Sequence, residues 1–329
     1  MISVYRVIVV TVLAGASAFA NAQAVSAGSG QDYPAKPIRL VLPYPPGGGA
    51  DFIVRALAQK LTVNLGQQVI VENRPGASGI IGMELVAGSA ADGYTLVLGL
   101  TAQYAVNPSL YSKLPYDPMK HFAPVILLAG NPQFLVVHPT LPAKSVKELI
   151  ALAKARGGQL AFSSAGHGSA SHLAGEALKT MAGIDIMHVP YKGAGLAITD
   201  LITGRVQLSF IGWITADPHV KTGKLRVLGV TTAKRSLRLP DLPAIAETLP
   251  GYDLSLWYGM AAPAGTPREI IARLNAEILR VLAAPDFRQR IEAQAIEPLG
   301  STPEQFGDYI RSEIVKFGKI VKDSGAKID

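Results

Sequence analysis

From residue 38 onward, short apolar runs alternate with longer segments in which apolar residues return every three or four positions. The runs at 38–43, 68–72, 95–100, 160–163, 185–189, 206–211 and 225–231 have the length and composition of strands. Ile53, Leu57, Leu61 and Leu65 repeat every fourth residue up to Gly66, which predicts an amphipathic helix closed by glycine. A second helix is predicted over 145–156, ended by Gly157 and Gly158. Residues 267–284, with proline in the first turn, and 302–322 predict a helical C-terminal region. Strands alternating with helices imply an α/β fold on parallel sheets covered on both faces.

Two extended stretches interrupt this rhythm: PVILLAGNPQFLVVH at 124–138 and YDLSLWYGMAAP at 252–263. Each is long enough to run from one domain into another, and they bracket a block with its own β/α alternation. The pattern predicts a discontinuous first lobe, 23–130 with 252–329, and an inserted second lobe, 131–251, joined by a hinge of two crossing segments. Long buried strands within one sheet would give the same pattern. A chain of 329 residues suits two domains.

Composition narrows the class. Apolar residues make up 49% and charged residues 17%, a globular balance. The first 22 residues hold a basic residue, Arg6, a short apolar run and an Ala-Asn-Ala ending. That is a secretory signal cleaved before Gln23, too short in its apolar run for a membrane anchor. An exported chain without cysteine excludes disulfides, thiolate metal sites, covalent haem and a lipid-modified N-terminal cysteine. The periplasm is the expected compartment. A net charge of +7 without a Lys/Arg run or an aromatic-basic platform gives no nucleic-acid partner and only a mild pull on anions.

The strand-to-helix junctions share one composition: YPPGGGAD (44–51), GLTAQYAVNPS (99–109), SSAGHGSASHL (163–173) and VPYKGAG (189–195). Such loops lie at the carboxyl ends of strands, where open α/β sheets bind ligands. Glycines bare the backbone N–H groups, and helix N-termini add partial positive charge. Thr101, Ser164, Ser169 and Tyr191 supply hydroxyls, and Lys192 a formal charge. A small carboxylate fits this chemistry.

Other chemistries fail on spacing. Neither Gly47–Gly49 nor Gly166-His167-Gly168 continues into a dinucleotide fingerprint, because Phe52 and Ser171 stand at the third glycine, and no P-loop occurs. No nucleotide or other cofactor is therefore expected. A hydrolase would draw on Ser164 or Ser169 with His172, but no nucleophile elbow is present and helix-capping serines explain the run. His172 and Glu176 stand four apart on a predicted helix, yet no third metal ligand falls at a recognisable spacing, and His121, His138, His188 and His219 are scattered. Trp257 and Tyr258 lie in the second crossing, either in the core or against a ligand.

The segments at 33–61 and 69–99, with ENRPGASG inside the second, resemble the solute-binding proteins of tripartite tricarboxylate transporters, the Bug family. So do LAFSSAGHGSASHLAGEAL (160–178), VPYKGAGLAITDLITGRVQLSF (189–210) and the segment 225–248. The resemblance implies a two-lobed periplasmic-binding-protein (Venus flytrap, type II) fold and no enzymatic activity. It implies an organic carboxylate as ligand, and a large and a small integral membrane subunit as partners of a monomeric receptor. It places ligand contacts at Tyr44, Gly48, Gly49, Ala50 and Asp51 in one lobe, and at Ser164, Gly168, Ser169, His172, Tyr191, Lys192 and Gly193 in the other. Asp51 reads first as the N-cap of the first helix and second as a ligand contact. A ligand sensor of the same fold is the alternative to a transport receptor.

Overall fold

The structure, a computed structural model, describes residues 33–130, 132–236 and 238–324, with side chains as far as 322. The expected signal at 1–22 lies outside the described residues. The first part of the chain runs β1 (Ile38–Leu42), α1 (Gly49–Leu65), β2 (Val69–Asn73), α2 (Ile80–Ala87), β3 (Thr95–Leu100), α3 (Asn107–Leu110) and β4 (Phe122–Gly130). Next come β5 (Gln133–Val137), α4 (Val146–Arg156), β6 (Ala161–Ser164), α5 (Ala170–Ala182), β7 (Met187–Pro190), α6 (Ala194–Ile202), β8 (Leu208–Gly212), α7 (Trp213–Lys221) and β9 (Arg226–Val230). The chain finishes with β10 (Trp257–Pro263), α8 (Arg268–Ala283), α9 (Pro285–Glu292), β11 (Glu297–Pro298) and α10 (Pro303–Ser324).

Two sheets result, ordered β11-β4-β10-β3-β1-β2 and β7-β6-β8-β5-β9. The stretch 124–138 is thus two strands in two sheets, and only its second-crossing counterpart from Trp257 onward is strand. The sheets are mixed, not wholly parallel as the alternation implied. β10 runs antiparallel to β3 and β4, and β5 antiparallel to β8 and β9. The pairing explains why. Trp257 opens β10 opposite Gly130 and Gln133 opens β5 opposite Gly212, the last residues of their neighbours. Each strand that arrives from the other sheet therefore starts at the carboxyl edge of the neighbouring strands and must run back. Both crossings lie at the edge where ligands bind in open α/β sheets.

Thr231 ties the crossings together. Its N–H donates to the Gln133 carbonyl (2.9 Å), its hydroxyl accepts from Gln133 N–H (3.0 Å), and its carbonyl accepts from Leu254 N–H (2.8 Å). Helices cover both faces of each sheet. One core lies under α1 and α8 and another under α6 and α7. A third is continuous from Tyr104 and Phe306 through Trp257, Leu256 and Leu254 to Phe162 and Leu173. Trp257 and Tyr258 belong to these cores, each about 1% exposed. The expected helix ends hold: Ser145 caps α4 by accepting from Glu148 N–H, and Gly66 closes α1 in the left-handed region at φ 67°.

Candidate functional site

The loop after β1 enters α1 with Gly48 as its extended N-cap (φ −92°, ψ 177°). This corrects the expectation for Asp51, which sits in the first turn instead of capping it. Its carboxylate accepts from Gly47 N–H (3.2 Å), Asn73 Nδ2 (3.0 Å) and Arg55 Nε (3.0 Å). Burial works against the ionised form, but those bonds and the Arg55 charge hold the carboxyl below the usual aspartate range. With its oxygens engaged, Asp51 shapes the glycine turn, where Gly47 adopts φ 95°. A Cβ placed on Gly48 would meet nothing within 4 Å, whereas one on Gly49 would lie 3.0 Å from Tyr258 Oη. The space beside Gly48 is therefore open, at the end of a helix whose first N–H groups have no partner within the helix.

ENRPGASG stands behind this loop as its support. Asn73 Nδ2 also donates to the Tyr44 carbonyl (3.0 Å), and Arg74 N–H to the Leu42 carbonyl (2.8 Å). Ala77 and Ser78 hold positive φ, 46° and 55°. The Ser78 carbonyl accepts from Gln103 Nε2 at 2.7 Å. Gln103, fully buried in the π-helical turn Ala102–Val106, donates as well to Tyr44 Oη (3.0 Å) and accepts from Leu100 N–H (2.9 Å). Sequence reading passed over Gln103, although one amide within AQYAV is a polar residue that a buried position must justify.

In the second lobe, Ser169 caps α5 by accepting from His172 N–H (3.3 Å), as the capping reading expected. Gly166 and Gly168, on either side of His167, take φ 128° and 71°. Gly168 N–H donates to His172 Nδ1 at 3.0 Å, which puts the ring proton on Nε2, 4.0 Å from Glu176 Oε1. Ser164 ends β6 fully buried, its hydroxyl 2.6 Å from His188 Nε2 and 3.1 Å from the Gly166 carbonyl. Burial, with neighbouring positive charge, lowers the pKa of His172 to about 4 and of His188 to about 3, so both rings are neutral at pH 7. Serine and imidazole are thus used structurally: the bond between Ser169 and His172 reaches the backbone, not the ring.

Tyr191, expected as a hydroxyl donor to ligand, donates instead to Asp200 Oδ2 (2.7 Å), which also pairs with Arg205 (3.1 Å). Lys192 is exposed, and Gly193 is the N-cap of α6 at φ 121°. Thr101 is buried and pins the second crossing, its hydroxyl accepting from Trp257 N–H at 2.9 Å.

A cavity of about 30 Å³ lies between the lobes, lined by Tyr44, Thr101 and Gly168 with an apolar wall that includes Val106, Leu173 and Leu256. It joins three of the expected residues from both lobes, in a space sized for water. The remaining expected residues stand outside that lining: Gly49, Ala50 and Asp51 in α1, Ser164 at the end of β6, His172 in α5, and the rest in the loops that lead into α1, α5 and α6. A larger cavity, about 730 Å³, lies between α5 and α10. Most of its charges are paired: Lys316 with Asp253 (3.2 Å) and Glu313 (3.4 Å), and Glu176 with Lys179 (3.2 Å).

Residues 53–326 match the family profile of the tripartite tricarboxylate transporter family receptor. Protein BugT of Bordetella pertussis is 38% identical over 302 residues, 91% of this chain and 93% of BugT. Among solved structures, R. palustris Rpa4515 with adipate is 37% identical with a TM-score of 0.84, covering 90% of this chain and 100% of that one. MatC (Rpa3494) from Rhodopseudomonas palustris with bound malate is 30% identical with a TM-score of 0.79, covering 88% and 100%.

Proposed function

Because the chain belongs to the tripartite tricarboxylate transporter receptor family, a family of solute-binding proteins and not of enzymes, we propose that it captures a small organic carboxylate in the periplasm. It hands that ligand to the large and small membrane subunits of a transporter, acting as a monomer. No helix among the described residues is long and apolar enough to cross a membrane, consistent with a receptor that works beside membrane subunits. The adipate and malate of the two relatives support the ligand class.

The observation that carries the reading is the convergence of both lobes on one cavity, Tyr44 and Thr101 from the first and Gly168 from the second. The carboxylate binds to the amides at the N-terminal end of α1, those of Gly48, Gly49 and Ala50, and to the Ser169 end of α5. Asp51, Ser164, His172, Tyr191 and Gly193 hold these loops in shape, and Lys192 adds charge at the rim. Lobe one comprises 23–130 with 252–329, and lobe two 131–251. The hinge lies where the chain passes between the sheets, from β4 to β5 and between Thr231 and Trp257, and its opening admits a ligand larger than the cavity. Contacts made only in the closed state bias that equilibrium.

The test is a thermal-shift screen of the chain from Gln23, denatured and refolded to strip any ligand, against carboxylates and their matched amides. Binding at a hundredfold excess over Kd stabilises by about 2.7 kcal/mol, a shift of several degrees. A shift with one acid and none with its amide is expected. Equal shifts with acid and amide, or none with any acid, overturn the reading.

A further inference from the structure

Three of the chain's six histidines sit together where sequence spacing had left them apart. His167 lies on the loop after β6, His172 in the first turns of α5, and His188 on β7, which pairs with β6 in parallel. One nitrogen from each ring falls within 4.8 Å of the others. The His172 and His188 rings stack at 4.1 Å, and His167 stands edge-on to both at 5.5 and 5.2 Å.

We propose that His167, His172 and His188 form a binding site for a divalent transition-metal ion of the zinc type, a function separate from the interlobe cavity. Imidazoles suit zinc, copper and nickel, and three histidines with a fourth position open are a known zinc geometry. A metal takes each neutral imidazole through its unprotonated nitrogen while the other nitrogen donates its N–H to the protein. The Ser164 hydroxyl anchors His188 at Nε2 (2.6 Å) and leaves its Nδ1, while His172 offers Nδ1 once the Gly168 N–H that donates to it (3.0 Å) turns away. Glu176 Oε1, 4.0 Å from His172 Nε2, puts a carboxylate one helical turn on.

Zinc–nitrogen bonds of about 2.05 Å at tetrahedral angles need nitrogens about 3.3 Å apart. The cluster must therefore contract by about 1.5 Å at its widest. The loop 166–168 is the part able to move, His167 being exposed between two glycines of positive φ, and the nearly parallel His172 and His188 rings must also turn so that both lone pairs meet at one ion. A purely structural reading is a ring stack, Phe162 on His188 (4.8 Å) on His172. That reading gives His167 no role.

The experiment titrates zinc chloride alone, without any carboxylate, into the tag-free, chelator-stripped chain in a calorimeter. It is thus independent of the carboxylate reading. One ion per chain is expected, and His167→Ala, an exposed change whose fold is checked by circular dichroism, weakens binding at least ~tenfold. His121→Ala, outside the cluster, leaves it unchanged. Cobalt(II) gives the intense visible bands of a four-coordinate site, lost in His167→Ala. Absence of stoichiometric zinc binding, or equal binding in His167→Ala and the parent, overturns the proposal.

Discussion

Replacing Gln103 with methionine tests whether the first binding loop depends on a strut hidden behind it. The two side chains have similar length and volume, so the change opens little cavity and removes polarity alone. Three bonds go: from Gln103 Nε2 to the Ser78 carbonyl (2.7 Å) and to Tyr44 Oη (3.0 Å), and from Leu100 N–H to Gln103 Oε1 (2.9 Å). The Ser78 carbonyl keeps a longer bond from Asn107 Nδ2 (3.3 Å), and Tyr44 is one of the residues that line the cavity. The Leu100 amide is the group left without its acceptor, at a cost of about 1–3 kcal/mol, with ~0.5–1.5 kcal/mol for each of the other bonds. The sum is about 2–6 kcal/mol, or a fall in Tm of roughly 4–24 °C at this chain length. Scanning calorimetry reads the Tm, and calorimetric titration with the carboxylate found in the screen reads affinity, which falls because Tyr44 loses its support. A Tm within about 2 °C of the parent, with unchanged affinity, refutes the strut.

Three further outcomes follow from the geometry. Gly48→Ala places a methyl in open space at an ordinary φ, so its Tm changes little while carboxylate affinity falls at least ~tenfold; Gly49→Ala presses on Tyr258 Oη and lowers the Tm as well. Asp51→Asn costs about 1–3 kcal/mol at pH 7 by urea unfolding. Since the folded state lowers the Asp51 pKa, the parent's advantage is full above the ordinary aspartate value of 3.8 and shrinks as pH falls below it. Gly175→Ala gains about 1 kcal/mol of helix propensity, but its Cβ would lie 2.1 Å from Phe162 Cε2. Overpacking of that kind costs about 1–3 kcal/mol or more, so urea unfolding should show a net loss.

Much of this fold was legible because its signals are local. β3 has the bounds that its apolar run gives, and Gly66 stops α1 where the four-residue repeat ends. Strand direction was not legible, since a two-residue or continuous apolar pattern reads the same either way. The antiparallel course of β5 and β10 follows from where the chain re-enters each sheet, a fact of tertiary connection. The site loops could be found from glycine and hydroxyl content, but roles within them could not. Asp51 missed the cap position because Gly48 already supplies the extended residue, and the Tyr191 hydroxyl went to Asp200, nine residues on, across a loop. The histidine cluster escaped because ligand spacing detects partners along one element. His188 reaches His172 only through the pairing of β6 with β7.

Of the chain's two tryptophans, one directly follows β8 of the second sheet and the other opens β10 of the first. Trp213 opens α7, partly exposed and tilted against Phe134 at 5.0 Å. Trp257 opens β10, sealed between Tyr104 (5.6 Å, nearly parallel) and Phe306, with its indole N–H on Glu313 at 2.9 Å. The molecule thus carries two native optical reporters with different emission. Trp213 emits toward the red and is open to iodide quenching, while Trp257 emits toward the blue and is shielded. Because Trp257 also borders the second crossing, a change in its emission without one in Trp213 marks motion at the hinge, and the reverse marks local loosening of the inserted lobe, with no dye attached.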